Sequence, residues 1–295
     1  MQVRLETYIY KTAAGCEIKA DVYTKPTARS RRPVIITIHG GALMLGSRHP
    51  TEHALLDPLI ADGFAVVSID YRLTPETKLP EIVDDVKDAF AWVRREGPEL
   101  FGADGDRIAV QGISAGGYLS LVAGYSVDPR PQAVVSYSGY SDITADWYAK
   151  PDAHYLTHPI ISETRARSVV GRGTPTESKP GDGRWDFYLY CRQTGNWPEE
   201  TVGVHPDVDP DAFTPFCPIR NVTPDYPPTL LYHGDKDTDV PFEQSAQMVR
   251  KLEDAGVDVE FMPIYGADHG FGPDFREENQ KVFTRTREFL REILG

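Results

Sequence analysis

Ile108-Ala109-Val110-Gln111-Gly112-Ile113-Ser114-Ala115-Gly116-Gly117 is the stretch on which the reading of this chain turns. Ile108-Ala109-Val110 has the apolar character of a buried strand, and a helix is expected to run from the Ser114 turn through Tyr125. Gly112 and Gly116 stand two residues either side of Ser114 and permit a bend sharp enough to push the serine outward. The N-terminal N–H groups of the following helix then face the serine and favour a developing negative charge. Gly-x-Ser-x-Gly recurs by chance, and a small-residue helix start would look similar. The strand–turn–helix setting is what makes Ser114 a candidate nucleophile.

The same rhythm repeats along the rest of the chain. Residues 34–38, 65–69, 133–137 and 229–233 are short β-branched or apolar runs, the pattern of strands buried on both faces. Residues 7–10 and 18–23 read as strands around Ala14-Gly15, and 257–265 as the last strand. Helices are expected over 52–62, 80–95, 241–255 and 276–294. In the second, Ile82, Val83, Val86, Ala89, Phe90 and Val93 recur at helical spacing. Its Asp84, Asp85, Lys87 and Asp88 read as a solvated face. Strands alternating with helices predict an α/β fold, a mostly parallel sheet with helices on both faces.

The alternation stops between Tyr140 and Pro228. This stretch holds 12 of the 24 prolines and three of the four tryptophans, and a structureless loop that long is implausible in a compact domain. It is read as a cap, 140–228, inserted into a core of 1–139 and 229–295, with a polar, Gly-rich and mobile middle over 162–184. Trp147, Tyr148, Trp185 and Trp197 are expected either to wall a substrate pocket or to form the cap's own small core.

A serine hydroxyl needs a base, and the base needs a group that fixes its tautomer. His269 follows the last strand, at the end of the sheet where α/β folds place their sites. His233 sits in a strand end and reads as a core histidine; His154, His158 and His205 could line a pocket. His49 and His53 look like surface or pocket-rim residues. For the acid, Asp235-Lys236-Asp237-Thr238-Asp239 offers three carboxylates. Asp237, at the apex, is favoured over Asp235, which follows the glycine turn, and Asp239, which could N-cap the next helix. His39-Gly40-Gly41-Ala42 ends the first buried strand. There the amides of Gly41 and Ala42, with that of Ala115, could form an oxyanion hole, His39 tying the loop down.

These residues resemble the α/β-hydrolase superfamily over nearly the whole chain. His39-Gly40-Gly41, Asp70-Tyr71-Arg72-Leu73-Thr74-Pro75-Glu76 and Gly112-Ile113-Ser114-Ala115-Gly116-Gly117 look like the hormone-sensitive-lipase-type esterases. Ala42 stands where that group has a third glycine, and the insertion precedes the acid strand rather than opening the chain. The acid loop looks more like that of prolyl-oligopeptidase-like and dienelactone-hydrolase-like enzymes. The resemblance implies a serine carboxylesterase with Ser114, Asp237 and His269 as its triad, acting on a small-molecule ester through an acyl-enzyme. It implies no metal and no organic cofactor. A peptidase, amidase or lactonase would share the triad; a non-catalytic receptor on this fold would be expected to lack a member of it.

The bulk properties agree. A net charge of −13 disfavours nucleic acid and anionic lipid as partners. The N-terminus lacks the apolar run of a signal peptide, which makes a cytoplasmic protein the expectation. The three cysteines suit neither a disulfide framework nor a zinc site, and a single Cys191–Cys217 bridge is left as an alternative. A homodimer through the last helix or the edge strands is a family-level expectation.

Overall fold

The computed structural model describes residues 2–26, 31–49, 53–271 and 276–295. Its strands are Arg4–Ala13 (β1), Cys16–Thr24 (β2), Arg32–Ile38 (β3), Ala65–Ile69 (β4), Ala103–Ile113 (β5), Ala133–Tyr137 (β6), Thr229–Gly234 (β7) and Val259–Ile264 (β8). They form one sheet in the order β1-β2-β4-β3-β5-β6-β7-β8. β2 runs antiparallel to both β1 and β4. The remaining neighbours are parallel.

Alternate residues of each central strand enter opposite cores, which is why these strands read as unbroken apolar runs. Val34, Ile36 and Ile38 face one cluster, with Ile82 and Phe90 of Leu79–Arg95 (α2) and Leu119 of Ala115–Ser126 (α4). Ile35, Val66 and Val135 face the other, with Leu59 of His53–Asp62 (α1) and Val282 and Leu290 of Arg276–Leu294 (α10). Gly97–Phe101 (α3) and Glu243–Asp254 (α9) pack on the first face through Phe101 and Met248.

One residue of the expected solvated face of α2 is not solvated. Asp85 is fully buried, accepting from Arg72 Nε at 2.8 Å and Nη2 at 2.7 Å, with Lys11 Nζ at 2.8 Å. A carboxylate survives there because paired cations offset the loss of water. His53 of α1 is a candidate whose side chain lies outside the described residues.

Segment 140–228 carries four short α-helices, Asp146–Ala149 (α5), Glu163–Ser168 (α6), Arg184–Thr194 (α7) and Trp197–Val202 (α8), and three 3-10 turns. Tyr148, Phe187, Trp197 and Phe213 join the same apolar cluster as Ile36, so the segment packs into the sheet's core and builds none of its own. Its polar middle is tethered at several points. Leu73 N donates to Pro175 O at 2.9 Å and Ser178 N to Gly46 O at 2.8 Å. Arg184 is buried against Glu76, with Nη1 to Oε1 at 2.9 Å. Cys191 and Cys217 are both free thiols, so the alternative of a bridge is set aside. Among the described residues no helix is long and apolar enough to cross a membrane, and no cluster of His, Cys, Asp and Glu is disposed to hold a metal ion.

Candidate active site

Ser114 joins β5 to α4 with φ +56° and ψ −122°, a backbone conformation that an L-residue adopts only under constraint. The constraint comes from close approach on both sides. A Cβ on Gly116 would overlap the carbonyl oxygen of Ile38, and one on Gly112 would overlap the Gly116 backbone. The strained residue is pinned by its own N–H, which donates to Tyr137 O at 2.7 Å. Gly40 abuts it, since a Cβ there would lie 3.2 Å from Ser114 Cβ. The 39–46 loop is thus brought against the serine by the absence of side chains.

In that loop Gly41, Ala42 and Leu43 have φ of +107°, +52° and +65°. Four successive carbonyls are each held by a donor. Gly41 O accepts from Met44 N and Leu45 N, both at 2.8 Å. Ala42 O accepts from Trp197 Nε1 at 3.1 Å, Leu43 O from Thr74 N at 2.8 Å, and Met44 O from Arg184 Nε at 2.7 Å. Among the described residues the N–H groups of Gly41, Ala42 and Ala115 donate to no protein acceptor. Consecutive uncommitted amides of this kind are suited to an anion. Ala42, with a Cβ in the left-handed region, is the departure noted in the sequence. The loop tolerates it through contacts made by residues far along the chain.

His39 closes the loop from below. Its Nδ1–H donates to Gly40 O at 2.7 Å, and its ring stacks on Tyr71 at 4.3 Å. Nε2 is buried with no partner among the described residues. Burial holds the ring's pKa down to about 4, with the Gly40 carbonyl opposing weakly, so His39 is neutral.

The three loop carboxylates separate cleanly. Asp235 Oδ1 accepts from Gly266 N at 2.5 Å and ties the two loops together. Asp237 Oδ1 accepts from the N–H groups of Asp239 at 2.9 Å and Val240 at 2.7 Å, which leaves Oδ2 to meet His269 Nδ1 at 2.7 Å. His233 Nε2 also lies 3.2 Å from Asp237 Oδ2. Burial works against the Asp237 charge, but the two histidines outweigh it and hold the carboxyl well below its ordinary range. His233 is a satisfied core histidine, with Nδ1 at 2.7 Å from Ser245 Oγ and Nε2 at 3.0 Å from Val240 O.

Asp239 does not cap α9. Its Oδ1 accepts from Tyr155 Oη at 2.7 Å, Tyr188 Oη at 2.5 Å and Arg192 Nη1 at 2.8 Å, all from segment 140–228. Its Oδ2 lies 3.5 Å from His269 Nε2. Burial disfavours an imidazolium at His269, yet Asp237, Asp239 and Asp268 prevail and raise its pKa. Both ring nitrogens of His269 are approached by carboxylates, and among the described residues Ser114 Oγ is in no hydrogen bond.

A cavity of about 890 Å³ opens beside these loops, lined by Gly40, Gly41, Ile113, Trp185, Gly270 and Phe271 among others. Of the four aromatics expected to wall a pocket, Trp185 lines this one. Trp147, Tyr148 and Trp197 do not line it, because they stack on one another in the core. Ring centroids are 3.6 Å apart for Trp147–Tyr148 and 3.9 Å for Tyr148–Trp197. Trp197 reaches the site only through Ala42. His154 and His158 neighbour Tyr155, and His49 lies 3.3 Å from Asp21. Arg192, Tyr155 and Tyr188 carried no local signal, since their partner Asp239 lies 47, 84 and 51 residues away.

The BD-FAE family profile matches residues 20–252, most of the chain. The chain belongs to the BD-FAE family. Esterase LipC of Mycobacterium tuberculosis is similar to this BD-FAE chain, 33% identical over 264 residues, covering 86% of the chain and 55% of LipC. The chain thus spans about half the length of that relative. Among solved structures, a Staphylococcus aureus Mu50 protein of unknown function is similar at TM-score 0.76 and 22% identity, covering 98% of this chain and all of the other. The propionate-bound Est2 esterase of Thermogutta terrifontis is similar at TM-score 0.68 and 23% identity, with 98% and 94% covered. These likenesses carry the fold, which is that of the α/β-hydrolases.

Proposed function

We propose that this chain is a serine carboxylesterase that hydrolyses small to medium carboxylic esters through an acyl-enzyme. The observation that carries the reading is the 2.7 Å pairing of His269 Nδ1 with Asp237 in the loop beside the strained Ser114 elbow. Ser114 attacks the ester carbonyl while His269 Nε2 takes its proton. Asp237 holds the ring with Nδ1 protonated and stabilises the imidazolium that forms. The oxyanion develops among the amides of Gly41, Ala42 and Ala115, which donate to no protein acceptor among the described residues. His269 then protonates the leaving alcohol, and a water activated by the same nitrogen releases the acid. The esterases among the similar proteins favour an ester over a peptide, amide or lactone.

The test uses a fluorophosphonate probe and a panel of p-nitrophenyl esters alongside matched anilides and lactones. Expected are covalent labelling of wild type, none of Ser114→Ala, and turnover of the esters above the other classes. Labelling that survives Ser114→Ala would rule out the assigned nucleophile. Faster turnover of the lactones or anilides would move the substrate class.

A further inference from the structure

Arg192 is almost wholly buried, yet it is a cation inside a box of four aromatic rings. Its guanidinium carbon lies 4.5 Å from the Tyr155 centroid, 4.9 Å from Tyr148, 5.3 Å from Trp147 and 5.8 Å from Tyr188. Such a box stabilises a cation and keeps it from turning. The guanidinium donates to Asp239 Oδ1 at 2.8 Å and O at 3.0 Å, and to Asp152 Oδ2 at 2.8 Å. With Tyr155 and Tyr188 on the same Oδ1, one oxygen of Asp239 is saturated. The other is directed at His269 Nε2, the nitrogen that must take the proton of Ser114.

We propose that Asp239 is a positioning residue for His269: a second carboxylate, fixed by Arg192, Tyr155 and Tyr188, that competes with Ser114 for the ring's Nε2 and so sets how available the base is. This rests on the reading of Ser114 and His269 as nucleophile and base. Asp237 holds the Nδ1 edge of the ring; Asp239 engages the Nε2 edge whenever an N–H is there to donate. During attack the imidazolium gains a second nearby carboxylate. Before attack the same charge favours the protonated ring, which cannot act as a base. Arg192 moderates both effects by neutralising part of the Asp239 charge. The inserted segment thereby acts on the chemistry through a chain of polar contacts, with no need to touch substrate.

The groups that face His269 are Asp237 and Asp239 from the β7–α9 loop and Asp268 from its own loop. His233 stands behind Asp237, and Arg192 and the two tyrosine hydroxyls behind Asp239. Removing Asp239's charge therefore lowers the pKa of His269, and removing Arg192's charge raises it. In Asp239→Asn the acid limb of kcat/KM for p-nitrophenyl acetate should move to lower pH by about one unit, the effect of one unit charge at this distance in a water-like medium. In Arg192→Gln it should move to higher pH. Tyr155→Phe keeps the ion pair and the fold, and should move the limb in the Arg192→Gln direction by less.

The His269 ring titration, followed by NMR, should report the same displacements without any turnover. Coincident His269 titrations in wild type, Asp239→Asn and Tyr155→Phe would overturn the proposal, as would displacements of the same sign in Asp239→Asn and Arg192→Gln. Ser114→Ala on the same substrate separates the two levels. If it stays active, the nucleophile assignment fails, and the NMR titrations still decide Asp239's hold on the ring.

Discussion

His39 makes the fold itself sensitive to mild acid. Its ring is locked between Tyr71 and the Gly40 carbonyl, with Nε2 buried and unpartnered among the described residues. Adding a proton there would leave a buried charge without a counter-ion. The pKa therefore falls from 6.5 to about 4 on folding, driven by burial. The sign follows from proton counting: between those values the unfolded chain binds a proton that the native state refuses. Stability is then fully present above pH 6.5, declines as pH falls, and stops declining below about 4. Integrated to pH 4.5, the loss is about 2.5 kcal/mol. His39→Gln keeps a donor for the Gly40 carbonyl but has nothing to titrate. Urea unfolding at pH 7.5 and 4.5 should show wild type losing about 2.5 kcal/mol more than the variant. Carboxylates that titrate in the same range contribute equally to both proteins and cancel. Parallel losses in the two proteins would refute the reasoning and mean that the buried ring finds a partner when it charges.

Three further outcomes can be checked. Gly116→Ala drives a Cβ into the Ile38 carbonyl and should cost about a hundredfold or more in esterase kcat through displacement of the elbow, with the far-ultraviolet circular dichroism unchanged. Trp197→Phe retains the stack but leaves Ala42 O without its donor; chemical denaturation should show a loss of about 1 kcal/mol, and steady-state kinetics about tenfold lower kcat. Arg184→Met strands the buried Glu76 carboxylate and should cost about 3–5 kcal/mol, most of it recovered in the double variant with Glu76→Gln. Thermal denaturation of the three proteins reads this directly.

The parts of the fold legible in the sequence are those governed by local rules. β3, β4, β6 and β7 announced themselves because a strand buried on both faces leaves a largely apolar run, whereas β5 was legible only at 108–110, its first half being polar. The Ser114 elbow was visible because close backbone approach admits only glycine at positions 112 and 116. Asp237 stood out less sharply among three neighbours. What distinguishes it is the pair of amides, Asp239 and Val240, that occupy its Oδ1 and aim Oδ2 at His269. The inserted segment was hardest to read. Composition leaves its aromatics open between pocket walls and a core of the cap itself, because stacking and burial are set by partners far off in sequence. Asp85 illustrates the same difficulty, reading as a solvated charge until its counter-ions Arg72 and Lys11 are known, and nothing local marks Arg192.

The fastening of the 39–46 loop also has a consequence in time. The carbonyl of Ala42 is held by a residue 155 positions later, and that of Met44 by one 140 positions later. Contacts so distant along the chain close late, after the neighbouring strands have paired. A ribosome that has released β6 has therefore delivered the serine elbow but not the means of shaping the loop beside it. During refolding the sheet and the catalytic competence should run on separate clocks, tryptophan burial and ester turnover recovering together and both trailing the return of strand structure.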